Sequence, residues 1–275
     1  MVLNKFRYLL PKFINKPVNF CVKHNITPNQ ISIMGFLLSS AAAVTLSLPE
    51  VFFYNYTKIS EGFWWWWACV PGWLFFLGAY VDALDGSVAR ETGLESKFGG
   101  FFDSTLDRLS DAVVVVGILF SQMIWPWDKR VNSLIAFIAL SVILLISYAR
   151  SRAEIEGVIM KGVGFMERAE RVFILLGGYS LAWCVYAIEE QYYPTRNTDW
   201  VFPTFYIFYI LLCAQTLFAR VSWTYKWLNG KVSEEEKQKL RQELKKKKEK
   251  DKNQNQGSEQ MENPKKQTDN KKPKK

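Results

Sequence analysis

The sequence predicts an all-α integral membrane protein, with six transmembrane helices preceded by an amphipathic helix on the membrane surface. Three patterns carry that expectation. A spanning helix takes roughly 20 mainly apolar residues, and windows of that kind recur six times. Lysines and arginines concentrate in alternate connections, and tryptophans gather where the windows end, as at membrane interfaces. The overall hydrophobic fraction of 49% conceals this, because residues 28–228 are oily while residues 229–275 are almost pure charge and amide.

Taken in order, residues 1–26 mix Lys and Arg among apolar positions without an isolated apolar run, so they read as a juxtamembrane amphipathic helix and not as a secretory signal. Spans are expected near 29–48, 63–83, 103–125, 132–150, 171–188 and 201–222, within one catalytic domain of residues 27–228. The cytoplasmic tail, 229–275, lacks the apolar side chains that offset ordering entropy. It is expected to be helical near VSEEEKQKLRQELKKKKEK and disordered beyond, and most of the net charge of +9 sits in it.

Orientation follows from the basic residues. Lys5, Arg7, Lys12, Lys16, Lys23, Arg90, Lys97, Arg150, Arg152, Lys161, Arg168, Arg171 and the lysine runs fall on one side, against only Lys58, Lys129, Arg130 and Arg196 on the other. The positive-inside tendency therefore puts both termini in the cytoplasm of a polytopic cell-membrane protein. Trp64 to Trp67, Trp125, Trp127 and Trp200 then collect at the outer interface, with Trp223 and Trp227 at the inner one. Interface belts account for these rings, and no nucleic-acid partner is expected. Cys21, Cys69, Cys184 and Cys213 stand singly and read as small buried hydrophobes. His24, in a polar connection, reads as solvated.

The chemistry is concentrated in DALDGSVARETGLESKFGGFFDSTLD, residues 82–107. Asp82 and Asp85 are three apart at the end of the second span; Asp103 and Asp107 are four apart at the start of the third. Each pair shares one helix face, and a polar link of about twenty residues lets the two helices run antiparallel, so that the carboxylates converge near the cytoplasmic face. Arg90 and Arg108 could pair with some of these acids, but four carboxylates with interleaved glycines exceed what two arginines require. Unneutralised acids there would repel and be costly to desolvate. Hard oxygen ligands without nearby His or Cys suit Mg²⁺, Mn²⁺ or Ca²⁺. A pair of such ions can clamp the attacking and leaving oxygens of a phosphoryl displacement. Gly86, Ala89, Gly99 and Gly100 allow a bulky group to approach, and Arg90 offers a fork for phosphate.

The pattern D-x-x-D-G-x-x-A-R-x(8)-G-x-x-x-D-x-x-x-D, filled by Asp82, Asp85, Gly86, Ala89, Arg90, Gly99, Asp103 and Asp107, resembles the signature of the CDP-alcohol phosphotransferase family. The likeness extends to the six spans, the surface helix and TPNQIS at 27–32, and so to roughly residues 1–228. It implies that family's fold and the transfer of a substituted phosphoryl group from a CDP-linked lipid to an alcohol, with release of CMP. It further implies two Mg²⁺ or Mn²⁺ ions held by Asp82, Asp85 and Asp103 with help from Asp107, and Asp107 as general base. Asn29, Ser32, Asp82, Gly86, Ala89, Arg90 and Ser96 would bind the CDP-lipid, and the protein would be a homodimer.

SYARSRAE at 147–154 and GFMERAER at 164–171 put Arg150, Arg152, Arg168 and Arg171 beside the acids, a basic border suited to an anionic acceptor. Flanking charge and a Glu167 to Arg171 pair are the plainer reading of the same residues. Both stretches resemble those of the family's archaetidylinositol phosphate and phosphatidylinositol phosphate synthases, whose acceptor is inositol 1-phosphate. That likeness implies that Ser147, Arg150, Arg152 and Arg168, with Arg171, bind the acceptor phosphate. Glycerol 3-phosphate is the alternative acceptor. A cation transporter is the alternative of another class, because intramembrane acids also mark ion paths, although these acids cluster at one end. A scaffold working through its basic tail gives no reason for the eight-position pattern.

Overall fold

The computed structural model describes residues 10–53, 61–160, 162–192, 200–235 and 237–243. Residues 1–9 of the expected surface helix, the tail beyond 243, and Lys58, Lys161 and Arg196 lie outside them, as do the side chains of Trp64 to Trp67. The described residues form helices and no strands. These are α1 (Leu10–Lys23), α2 (Pro28–Phe53), α3 (Glu61–Thr92), α4 (Lys97–Phe120), α5 (Lys129–Ile155), α6 (Arg168–Tyr192) and α7 (Val201–Leu228).

Three of them, at Pro28–Leu48, Lys129–Ile155 and Val201–Leu228, are long and apolar enough to cross a membrane. Leu134 and Phe137 on α5, and Phe208, Leu211 and Phe218 on α7, face outward. That much exposed apolar surface suits a protein whose solvent is lipid. Cys69 and Cys184 follow the same logic: both are exposed, against expectation, while Cys21 and Cys213 are buried.

Local chemistry starts and stops the helices. Thr27 and Gln30 form a reciprocal cap, with Thr27 N–H donating to Gln30 Oε1 at 2.9 Å and Gln30 N–H to Thr27 Oγ1 at 3.4 Å. Pro28, which has no N–H to lose, takes the first position of α2. Asp128 caps α5 by accepting from the Arg130 and Val131 amides at 2.7 and 3.2 Å. One expectation is corrected: α3 runs unbroken to Thr92 and α4 begins at Lys97, so the polar link is residues 93–96 and not about twenty. The polar residues between the two apolar windows are good enough helix formers to extend both helices, and Gly93 at φ +65° makes the stop.

α2 lies against both α3 and α4 through small residues. Gly35, Ser39 and Ala43 recur every fourth position on α2. A Cβ at Gly78 of α3 would fall 2.8 Å from Ser39 Oγ, and one at Gly117 of α4 only 2.6 Å from Ala43 Cα. Such close approach is how helices associate where apolar burial gives no preference for protein over lipid. α5 packs on α4 and α7, and α6 packs on α3 and α7.

The α5–α6 connection is tied to α7. Thr216 Oγ1 accepts from the Met166 N–H at 3.0 Å, and Trp223 Nε1 donates to Ile159 O at 3.1 Å. Gly164 combines φ +91° with a position where a Cβ would meet Thr216 Cγ2 at 2.5 Å, so only glycine fits. After α7 the chain folds back: Val232 is buried among Ala153, Val158, Met160 and Trp227, and Leu240 packs onto the same cluster. Lys237 lies 5.6 Å from the Trp227 ring centre and pairs with Glu234 at 2.7 Å.

Candidate active site

The helical spacings do what they promise. Asp82 and Asp85 share a face of α3, Asp103 and Asp107 a face of α4, and carboxylate oxygens of Asp82, Asp85 and Asp103 lie within 4.8 Å of one another. Asp85, buried with 9% exposure, is fixed by two donors. The Ser32 hydroxyl reaches Asp85 Oδ2 at 2.6 Å, and the Gly86 N–H reaches the other oxygen. Ser32, expected near the nucleotide, is therefore also the residue that orients one of the acids.

Three carboxylates this close repel unless a cation lies among them. Their hard oxygen donors, with no His or Cys in the group, fit a divalent ion of the Mg²⁺ or Mn²⁺ type.

Arg168, the first residue of α6, enters the cluster from the other side. Its guanidinium forms ion pairs with Asp82 and, at 2.5 Å, with Asp107 Oδ1. The second contact lacks hydrogen-bond geometry, and Asp107 Oδ1 is otherwise buried without a partner. Arg90 and Arg108 do not neutralise the acids: Arg90 donates to Ser87 Oγ at 3.2 Å and Arg108 to Ser104 Oγ at 2.6 Å.

On the α3 side the site is open. A Cβ at Gly86 would meet nothing nearer than Arg90 Nη1 at 4.0 Å, and one at Gly100 would meet nothing within 4 Å. Ala89 stands one turn beyond Asp85 on α3. Ser96 caps α4, accepting from the Gly99 N–H at 2.9 Å, and a Cβ at Gly99 would come within 3.5 Å of Asn29 Oδ1. Asn29, Ser96 and Gly99 thus meet at the junction of α2 and α4.

On the α6 side a cavity of about 260 Å³, open to solvent, is lined by Asp107, Ser147, Arg150, Arg168 and Arg171. Arg150 pairs with Glu154 at 3.0 Å on the same helix face. Arg152 is not among the lining residues; it pairs with Glu156 at 2.7 Å and is 57% exposed. Arg171 pairs at 2.7 Å with Asp111, and not with Glu167 as the sequence spacing suggests. Arg108, weighed in the sequence only as a partner of the acids, also lines the cavity, as does Arg220, which sequence reasoning missed. Arg220 is 3% exposed and donates to Ile146 O at 2.8 Å and Val163 O at 3.3 Å. A signal for it existed, since an arginine inside an apolar span is a functional candidate by default.

Comparison with known proteins identifies the family. The family profile described as CDP-alcohol phosphatidyltransferase matches residues 25–219. The archaetidylinositol phosphate synthase of Pyrococcus horikoshii is 39% identical over 176 residues, covering 64% of this chain and 79% of that protein. Its counterpart from Methanothermobacter thermautotrophicus is 33% identical over 177 residues, covering 64% and 76%. The phosphatidylinositol phosphate synthase of Mycobacterium tuberculosis is 37% identical over 153 residues, covering 56% and 62%. The crystal structure of the Mycobacterium tuberculosis enzyme in complex with manganese and citrate superposes with a TM-score of 0.58 at 24% identity, covering 76% of this chain and 88% of that one. Its CDP-DAG-bound form gives 0.54 at 24% identity, covering 76% and 94%. The profile spans well over half of the sequence, and the chain belongs to the CDP-alcohol phosphatidyltransferase family, a family of transferases.

Proposed function

We propose that the protein transfers a lipid phosphoryl group from a CDP-linked lipid, CDP-archaeol or CDP-diacylglycerol, to inositol 1-phosphate and releases CMP. The observation that carries this reading is that the arginine-lined cavity and the carboxylate cluster share Asp107 and Arg168 as a common wall. The names of the archaeal and mycobacterial relatives support the choice of acceptor.

Asp82, Asp85 and Asp103, with Asp107, would hold two divalent ions, Mg²⁺ or Mn²⁺. When bound, these withdraw charge from the diphosphate and from the departing CMP. Asn29, Ser32, Gly86, Ala89, Arg90 and Ser96 accommodate the CDP moiety on the open α3 side. Ser147, Arg150, Arg168 and Arg171, joined by Arg220, grip the acceptor phosphate, and Arg152 adds attraction from the rim. Asp107 takes the proton from the acceptor hydroxyl as its oxygen attacks the phosphorus that carries the lipid. The bond from that phosphorus to the bridging oxygen breaks, and CMP leaves with that oxygen.

In this reading α2 to α7 are the six spans of a domain of residues 27–228, preceded by a surface helix within 1–26 and followed by the tail, 229–275. Both termini and the site face the cytoplasm, and the protein works as a homodimer in the cell membrane. The distribution of basic residues and the composition of the three apolar helices support this.

The test is CMP release by purified protein with Mg²⁺ or Mn²⁺ and either CDP-lipid, comparing inositol 1-phosphate, glycerol 3-phosphate and free inositol. Release that depends on inositol 1-phosphate is expected. Release with glycerol 3-phosphate alone would sink the acceptor assignment and keep the chemistry.

A further inference from the structure

The α5–α6 connection runs back along one face of α7. Thr216, Arg220, Trp223 and Trp227 recur at spacings of four, three and four, and so share that face. Their partners come in reverse order. Thr216 holds Met166, Arg220 holds Val163 O at 3.3 Å, Trp223 holds Ile159 O at 3.1 Å, and Trp227 clusters with Val158 and Met160. Phe218, Val221 and Tyr225, on other faces of α7, are each more than half exposed.

The far end of this seam is closed by residues beyond the family-matched stretch, which ends at residue 219. α7 is capped locally, with the Asn229 N–H donating to Tyr225 O at 3.1 Å and the Lys231 N–H to Lys226 O at 2.9 Å. The chain then turns back, and a second helical stretch starts where the Lys237 N–H donates to Ser233 O at 3.1 Å. Val232 is 5% exposed among Ala153, Val158, Met160 and Trp227, and Leu240 packs on them. These are parts of three elements that also wall the arginine-lined cavity. Ala153 stands beside Glu154 on α5, Val158 and Met160 lie on the connection that leads into Arg168, and Trp227 is two turns beyond Arg220 on α7. Arg152, Lys226 and Lys231 around the cluster are exposed, so it sits at an aqueous surface. There, unlike in lipid, apolar burial drives association.

We infer that residues 231–243 are a latch that clamps α5, the connection and α7 together and so seats Arg168 for the acceptor, with Trp227, Val232 and Leu240 as positioning residues. The inference rests on the proposed anionic acceptor and concerns what holds its binding walls in place. None of the three residues reaches the cavity, and their effect passes through the connection.

The test is the full-length double variant Val232→Ser with Leu240→Ser, which removes apolar contact without adding charge beside an anion site. Hydrogen exchange at the amides of residues 158–166 should quicken about tenfold while α2 to α4 are unchanged, as in local opening. The KM for inositol 1-phosphate should rise about fivefold, within the ~100-fold cost of misplacing a group by an ångström. Donor KM and Mn²⁺ affinity should stay within about twofold. The conservative pair Val232→Ile with Leu240→Met should restore wild-type exchange and KM. Should the double variant fail to fold, Leu240→Ser, at a partly buried position, decides by the same readouts.

Unchanged exchange at 158–166, or an unchanged acceptor KM, in the folded variant overturns the latch. A uniform quickening of exchange with both substrates' KM values raised also overturns it, because that is general destabilisation. Wild-type CMP release that needs no anionic acceptor would overturn the functional reading instead, and it leaves the exchange result intact as the measure of the clamp.

Discussion

The interface of α2 with α3 and α4 and the gap between α4 and α6 are built on opposite principles, although both shape one site. In the first, backbones nearly touch: Gly78 and Gly117 leave no room for a methyl group, and Ser32 pins Asp85 at 2.6 Å. In the second, arginines and acids meet across a water-filled cavity of about 260 Å³ above the apolar core. Close packing fixes a geometry without adjustment, which suits acids that must hold metal and diphosphate at set distances. Charged bridges can exchange partners, which suits an anionic substrate that enters and leaves from water.

Asp107 belongs to both regions, so its loss should cost most. Asp107→Asn is expected to lower CMP release by about 10²–10⁴-fold, the usual worth of a general base, with the fold and CDP-lipid binding retained. Activity within a few-fold of wild type would remove Asp107 from the chemistry. Next comes the close-packed side. Gly117→Leu forces a side chain against Ala43 Cα and should destabilise by about 1–3 kcal/mol or more, read as a lower melting temperature in detergent with both substrates' KM values affected. On the open side, Arg168→Gln should raise the acceptor KM by roughly tenfold to 100-fold, in line with the loss of a charge-assisted contact, while the melting temperature moves little. An equal rise in donor KM would show that the two regions are not separate. The smallest effect is Arg152→Gln. This arginine is 57% exposed and satisfied by Glu156, so the acceptor KM should change by less than about twofold.

The same contrast explains what could be read from the sequence. The aspartates were legible because i,i+3 and i,i+4 spacings survive whatever the helices pack against, and because acids in an apolar chain stand out. The junction between them was not, since polar residues at a membrane surface serve equally as loop or as helix, and α3 and α4 absorbed most of the expected link. The Asp111–Arg171 pair was legible only in halves. Arg171 was expected beside the site, but its partner Asp111 lies 60 residues away on another helix, and a local alternative, Glu167, sat one turn off. Arg220 was hidden by distance in the same way, 52 residues beyond Arg168 in a helix whose composition otherwise reads as lipid-facing.

The segment after α7 has a practical consequence. Residues 229–243 lie beyond the stretch matched by the family, yet Val232 and Leu240 close over Met160 and Trp227, on the connection that leads into Arg168. A chain cut at Leu228 would leave that apolar seam bare and the connection less firmly seated, whereas a cut after Glu243 removes only lysine-rich sequence. A purification tag or fluorescent fusion is therefore best joined downstream of Glu243.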